Sequence, residues 1–393
     1  MTTTLPLQLA RGFPRSDPSA IREIANASAR VPGAIRLDVG DPDIPTPSHI
    51  ARAGCDAIEA GDTKYTATQG YELLRYSICR KLERVNGIHA RPDQVVCSTG
   101  STSAIAAALA VTVNPGDEVL IPDPCWPNYL LMATLLGIRA ARYPCPRTNG
   151  YIPHLTSLEE RITPRTRAIL VNSPNNPTGA VYPANAMRGI VELALRRGLW
   201  IISDESYDQI TFGPEAVSPA TIIDDGRVIS CFTFSKTYSM TGWRLGYAVS
   251  SPTVAESMVK ALQAMTASPS SIAQRAGQAA LDGPQECVAT VVQAYRFRRD
   301  SAVDILARAG LLAVAPSGTM YVLADVSPAG PDSREFALRL LHDRQVSVAP
   351  GAAFGDVTEG TVRISLVTPE PSAREGIERL VECVQSRRAT TYD

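Results

Sequence analysis

From about residue 94 onward, short runs rich in β-branched residues alternate with stretches of helical periodicity, the pattern that βαβ units in a mainly parallel sheet require. "QVVCS" (94–98) reads as a strand and "STSAIAAALAVTV" as the helix after it, stopped by "NPGD" at 114–117. Further strands are predicted at "EVLI" (118–121), "RAILV" (167–171), "LWIIS" (199–203), "VISCF" (228–232) and "LGYAVS" (245–250), with a helix from Trp126 to Leu136. Another helix is predicted through "PANAMRGIVELALRRG", which has proline near its start and Gly198 at its end. Beyond about residue 285 the rhythm changes. A long helix through "VATVVQAYRFRRDSAVDILARAG", strand-like "MYVLADV" and "TVRISLV", and a closing helix "AREGIERLVECVQSRR" make a separate α+β unit. The expected fold class is α/β: a large domain with a mainly parallel, mixed sheet flanked by helices, plus a smaller α+β domain. There is no internal repeat and no low-complexity segment.

With 393 residues, 45% of them hydrophobic and 20% charged, the chain can bury a substantial core as an ordinary soluble protein. Its 38 basic residues are offset by 39 acidic ones and no Lys/Arg block stands out, so neither nucleic acid nor an acidic surface is an expected partner. The eight cysteines form no CxxC pair and there is no His-rich ligand spacing; no metal is expected. Several sit in apolar runs such as "VISCF", as reduced core residues of a cytoplasmic protein would. The first twenty residues contain no apolar stretch of secretory length, and no uncharged run is long enough to span a bilayer, so no membrane association is expected.

The distinctive polar residues each follow the end of a predicted strand. Gly100, Ser101 and Thr102 follow "QVVCS"; Trp126 follows "EVLI"; "NSPNNPTG" (172–179) follows "RAILV"; Asp204 and Tyr207 follow "LWIIS"; Lys236 follows "VISCF". In a parallel sheet these ends share one edge, where open α/β folds bind their ligands. Singly, each feature has an ordinary reading: "STGSTSA" as a helix cap, Trp126 as core, "NNPTG" as a turn, a lysine as a solvated surface group. Jointly they read otherwise. Hydroxyls and amides at a helix start form an anion cradle, and the planar fork of Arg244 suits a phosphate. A carboxylate at a buried strand end, Asp204, needs a cationic partner such as a protonated ring nitrogen. Desolvation and nearby cations would lower the pKa of Lys236 and favour its nucleophilic amine.

Taken together, "VGDPDIPTP" (39–47), "KYTATQG" (64–70), "DPCWPNY" (123–129), "NSPNNPTG", "SDESYDQI" (203–210), "FSKTYSMTGWRLGY" (234–247) and "VRISL" (362–366) resemble the aspartate aminotransferase family. These are fold-type I enzymes dependent on pyridoxal 5'-phosphate, of aminotransferase class I/II. The resemblance covers nearly the whole chain in order. It implies an N-terminal arm and part of the small domain at 1–48, a large cofactor-binding domain at 49–285 and a small C-terminal domain at 286–393. It further implies that Lys236 forms the Schiff base, Asp204 meets the pyridinium nitrogen, Asn176 and Tyr207 meet the phenolic oxygen, and Trp126 stacks on the ring. Ser101, Thr102, Thr233, Ser235 and Arg244 would hold the phosphate; Thr233 stands where the family often has serine, which keeps the hydroxyl. Tyr65 would reach the neighbouring active site of a homodimer, and Arg363, helped by the backbone of Gly40, would clamp the substrate α-carboxylate. The implied function is transamination between an L-amino acid and a 2-oxo acid. The same apparatus serves elimination or decarboxylation, so a lyase such as a carbon–sulfur β-lyase is the alternative. A DNA-binding regulator built on this fold would need a further domain ahead of "VGDPD", which begins by residue 39. For the substrate side chain, "SAIAAALAV" and "TASPSSIAQ" (266–274) offer no cationic anchor, which leans against a dedicated aspartate enzyme, and Met320 is a candidate pocket wall or a core filler.

Overall fold

Two sheets account for the alternation read from the sequence. The computed structural model describes residues 20–390; residues 1–19, the beginning of the expected N-terminal arm, lie outside the described residues. In chain order the strands are β1 (Ile35–Leu37), β2 (Val95–Ser98), β3 (Glu118–Asp123), β4 (Arg139–Pro144), β5 (Thr166–Asn172), β6 (Trp200–Asp204), β7 (Val228–Thr233), β8 (Gly246–Val249), β9 (Tyr321–Asp325), β10 (Val346–Pro350) and β11 (Thr361–Ser365). Seven of them form one sheet in the order β2-β8-β7-β6-β5-β3-β4, and the other four form a second in the order β1-β10-β11-β9. Within the larger sheet β8 is antiparallel to both neighbours, while the pairings from β7 through β6, β5 and β3 to β4 are parallel.

The larger sheet is covered on both faces, which is why its strands read as continuous apolar runs rather than alternating ones. Val96, Val119, Ile121, Leu170, Ile202 and Ile229 share a core with the helices Ser101–Thr112 and Pro252–Thr266. The alternate residues Leu120, Ile169, Val171 and Ile201 pack with Ile190 and Leu193 of the helix Ala184–Arg197. Toward the β2 edge, Val95, Cys97, Phe232 and Tyr247 meet the helices Ser48–Glu59, Glu72–Lys81 and Ser271–Asp282. Each fully buried aliphatic side chain of this kind stabilises the fold by about 1.5–3 kcal/mol. In the second sheet Leu37, Val322, Val348, Val362 and Ile364 pack on Leu306, Leu340 and Leu380, which come from the helices Glu286–Arg308, Ser333–Arg344 and Glu370–Thr390.

The differences from the sequence reading have local causes. The helix expected from Trp126 spans Asn128–Leu135, because Pro127 takes the N-cap position and leaves Trp126 on the preceding turn. β4 is rich in alanine and arginine, poor strand formers, and survives as the edge strand paired only to β3. β1 and "VSVAP" of β10 are too short to show a period, yet they pair in parallel and bring the N-terminal segment into the second sheet.

Two buried polar groups beneath β6 hold the segment that follows it. Lys81 and Asp208 form an ion pair with both side chains almost wholly buried; Asn86 bonds to each partner, and the Lys81 ammonium lies 4.6 Å from the centre of the Phe232 ring. Removing one charge would strand the other, so Lys81→Met should destabilise the chain by about 3–5 kcal/mol in urea unfolding. Glu205 accepts a hydrogen bond of 2.7 Å from Ser218, and its burial pushes the carboxyl from an ordinary 4.5 up to about 7. An acid raised in the folded state favours folding below its ordinary value, and that contribution disappears as pH rises through the folded value. Thermal melts should therefore show the parent losing up to about 3 kcal/mol relative to Glu205→Gln as pH rises from ~4.5 to ~7.

Candidate active site

Because all strands of the larger sheet except β8 run the same way, their carboxyl ends open onto one cavity of about 520 Å³. Gly40, Ser101, Thr102, Trp126, Asn176, Asp204, Tyr207, Thr233, Ser235, Lys236, Arg244 and Arg363 all line it. Tyr65 does not: it is 93% exposed on the surface of its own chain.

Lys236 sits on the turn between β7 and β8 and donates to the carbonyl oxygen of Gly40 at 2.6 Å. The residue keeps some surface open to the cavity, but its amine is enclosed by protein, and this burial lowers its pKa from the usual lysine range. Tyr321 and Asp41 oppose the shift, whereas Arg363 and Arg244 add to it. A loop from the N-terminal side forms the roof. Thr241 donates to Asp41 at 2.6 Å, Trp243 donates through Nε1 to Thr46 at 3.1 Å, and Thr46 donates to the Ser239 carbonyl at 2.6 Å. From the long helix, Arg298 grips Asp43 with two bonds of 2.8 Å. The roof admits only glycine at position 40, since a Cβ there would lie 1.9 Å from the Tyr321 hydroxyl.

Asp204 ends β6 and is 4% exposed. Burial raises its pKa, and hydrogen bonds from Ser206 and Tyr129 pull it back toward the charged form. Beside it, Asn172 donates to the Asp204 carbonyl at 3.0 Å and accepts from the Asn176 backbone at 2.9 Å, which fixes the "NNPTG" turn against β6. At the far wall, Ser101 and Thr102 begin the helix Ser101–Thr112, so free backbone donors face the cavity there. Gly100 just before it has φ of 85°, and a Cβ would lie 2.8 Å from Nη2 of Arg244. Arg244 is an exposed residue and donates to the Thr241 carbonyl at 2.9 Å and to that of Thr99 at 3.4 Å. Thr233 and Ser235 are linked to each other at 2.8 Å.

Arg363 projects from β11 of the second sheet and is 3% exposed. It donates to Asn176 Oδ1 at 2.9 Å and to the Asp38 carbonyl at 2.7 Å, and its guanidinium lies 4.2 Å from the Tyr321 ring centre and 4.7 Å from that of Phe354. Its Nε is buried with no partner among the described residues. A held cation with an unsatisfied donor is suited to an incoming carboxylate.

Sequence reasoning passed over Tyr129, Asn172, Ser206, Thr241 and Tyr321, all of which line the cavity. Tyr129, Asn172, Ser206 and Thr241 lie within motifs singled out above, so their placement was available, but their hydrogen-bond partners depend on how the loops fold. Of its two readings Met320 takes the core filler: it is fully buried among Tyr207, Ile210 and Tyr295. Of the 266–274 segment, Ser270 caps the helix Ser271–Asp282 and none of the residues faces this cavity.

The model of the family "Aminotransferase class I and II" matches residues 32–380. The chain is 39% identical to an aspartate/prephenate aminotransferase of Cereibacter sphaeroides, over 91% of this chain and 92% of that one. It is 36% identical to a probable aspartate/prephenate aminotransferase of Thermus aquaticus, over 89% and 91%. Among solved structures, a double mutant of Thermus thermophilus aspartate aminotransferase superimposes with a TM-score of 0.91 at 34% identity, covering 96% of this chain and all of that one. The family uses pyridoxal 5'-phosphate. The chain thus belongs to the aminotransferase class I and II family, with the fold-type I architecture, and is an aminotransferase that transfers amino groups between amino acids and 2-oxo acids.

Proposed function

We propose that this aminotransferase holds pyridoxal 5'-phosphate in the cavity, with Lys236 as its covalent anchor, and acts on L-amino acids as a homodimer in the cytoplasm. The observation that carries the reading is the pairing of an enclosed lysine amine with a buried carboxylate in one cavity, which a helix N-terminus and several hydroxyls also line. The donor set fits the cofactor. Ser101, Thr102, Thr233, Ser235 and the cation of Arg244 suit a phosphate; Asp204 suits a protonated ring nitrogen; Asn176 and Tyr207 suit a phenolic oxygen; Trp126 offers a ring face. Gly100 keeps the cradle free of a side chain that would collide with Arg244.

When bound, the cofactor supplies an aldehyde carbon to receive the amino group and a ring that takes up the electrons left as the α-proton departs. The rest falls to the chain. Arg363 fixes the substrate carboxylate, with its buried Nε and flanking rings setting the direction of approach. The lowered pKa of Lys236 leaves its amine free to take the proton from the substrate α-carbon and return it later. Asp204 would keep a proton on the cofactor's ring nitrogen.

The homodimer is supported by the exposure of Tyr65 together with Leu73, Tyr76 and Met265, and by a hollow beside Arg244, lined by Thr99, Trp243 and Ile272, that a second copy's Tyr65 would enter. The division into 49–285 and a unit made of 1–48 with 286–393 is supported by the separate sheets, since β1 pairs with β10. A cytoplasmic setting is supported by eight free cysteines; among the described residues no helix is long and apolar enough to cross a membrane.

Lys236→Ala should lose both turnover and the visible absorbance of the loaded enzyme, and a variant that cycles at the parent rate refutes the anchor. Arg363→Ala should weaken the amino donor by roughly 30-fold or more, corresponding to about 2–5 kcal/mol, in spectral titrations with the substrate. Unchanged affinity would move the carboxylate site elsewhere.

A further inference from the structure

Asp204 is held by two residues to which the proposed reaction gives no task. Ser206, two positions on, reaches Oδ1 with its backbone N–H at 3.1 Å and its hydroxyl at 2.5 Å. From the helix after β3, the Tyr129 hydroxyl donates to Oδ2 at 2.5 Å. Both carboxylate oxygens thereby receive donors, and the plane of the group is fixed from two sides.

The direction of the bonds follows from counting hydrogens. A serine hydroxyl carries one, and the short contact to a charged oxygen takes it. The Ser206 hydroxyl also lies 2.9 Å from that of Ser101, at the start of the anion cradle. Ser206 thus stands between the anion cradle and Asp204, in contact with both. Tyr129 is committed as a donor as well: it is buried, and that burial and the adjacent Asp204 push its phenol well above the ordinary tyrosine range, so it keeps its hydrogen. Its ring stands edge-on to Trp126, 5.5 Å between centres, which holds the hydroxyl in place.

We infer that Ser206 and Tyr129 are positioning residues that keep Asp204 oriented and ionised against its burial, so that it meets the cofactor ring as a carboxylate. The inference rests on the reading that Asp204 faces the ring nitrogen of pyridoxal 5'-phosphate. Desolvation alone would turn Asp204 into a neutral acid, able to donate a hydrogen bond but unable to stabilise a positive ring.

The test is cofactor binding rather than turnover. The chain, stripped and reloaded with pyridoxal 5'-phosphate, is titrated by quenching of its tryptophan fluorescence, and the visible absorbance of the loaded form is followed against pH. Ser206→Ala and Tyr129→Phe should each bind the cofactor about ten- to a hundredfold more weakly and shift the pH dependence of the absorbance. Ser206→Thr, which restores the hydroxyl, should recover both. If Ser206→Ala does not fold, Tyr129→Phe, which keeps the packed ring, decides on the same terms. A parent that takes up no cofactor overturns the reading of the site and this inference with it. A parent that binds, with variants matching it in affinity and pH dependence, overturns this inference alone.

Discussion

The site depends on strand direction. In the larger sheet β8 is the single reversed strand, so β2, β3, β5, β6 and β7 deliver their following residues to one edge. Nothing in the local sequence near Ser101 knows of Lys236, 135 positions away in the chain; the sheet brings them together. The reversal of β8 has its own use. It turns the chain back directly after Lys236, and the turn carries Arg244 beside the helix N-terminus that begins at Ser101.

Burying so many polar groups around one cavity is costly unless most of them are partnered within the chain. The chain meets this with loops that bond to one another. The roof segment is tied by Thr241, Trp243 and Arg298, the "NNPTG" turn by Asn172, and the segment after β6 by the buried Lys81–Asp208 pair. The second sheet contributes Arg363 and Tyr321 from neighbouring strands, Ser365 of β11 lying opposite Tyr321 of β9. Tyr321 stacks on Arg363 and receives a bond of 3.3 Å from Tyr207. The Arg363 end of the cavity is thus fastened to the segment that carries Asp204.

Most of this arrangement was legible because long, doubly buried strands leave an unambiguous apolar signature and their ends carry unusual polar residues. "RAILV" and "VISCF" could be little else than central strands. The short strands were not legible: three residues at β1 show no period, and β4 has the composition of a helix or a loop. The helices over 48–59, 72–81, 252–266 and 271–282 were also unread, although they cover the β2 side of the core. In the site, residue types announced Lys236, Asp204 and Arg244, while the helpers escaped notice. Ser206 and Tyr129 are common residues whose meaning lies entirely in what they touch, and only the packing around Met320 chooses between its two readings.

Burial makes opposite demands on the two groups that matter most. It favours the neutral form of any titratable side chain, which the amine proposed for Lys236 would need and which Asp204 in its proposed role would have to resist. The surroundings differ accordingly. Lys236 has one neutral carbonyl, that of Gly40, as acceptor, and the cations of Arg363 and Arg244 add to its discharge. Among the described residues Asp204 instead receives three donors, two from Ser206 and one from Tyr129, and no basic side chain is bonded to it. Fixed neutral donors favour the carboxylate without neutralising it, so its charge stays available to a cation brought in by the ligand. An arginine in that place would have stabilised Asp204 more strongly and left it nothing to bind.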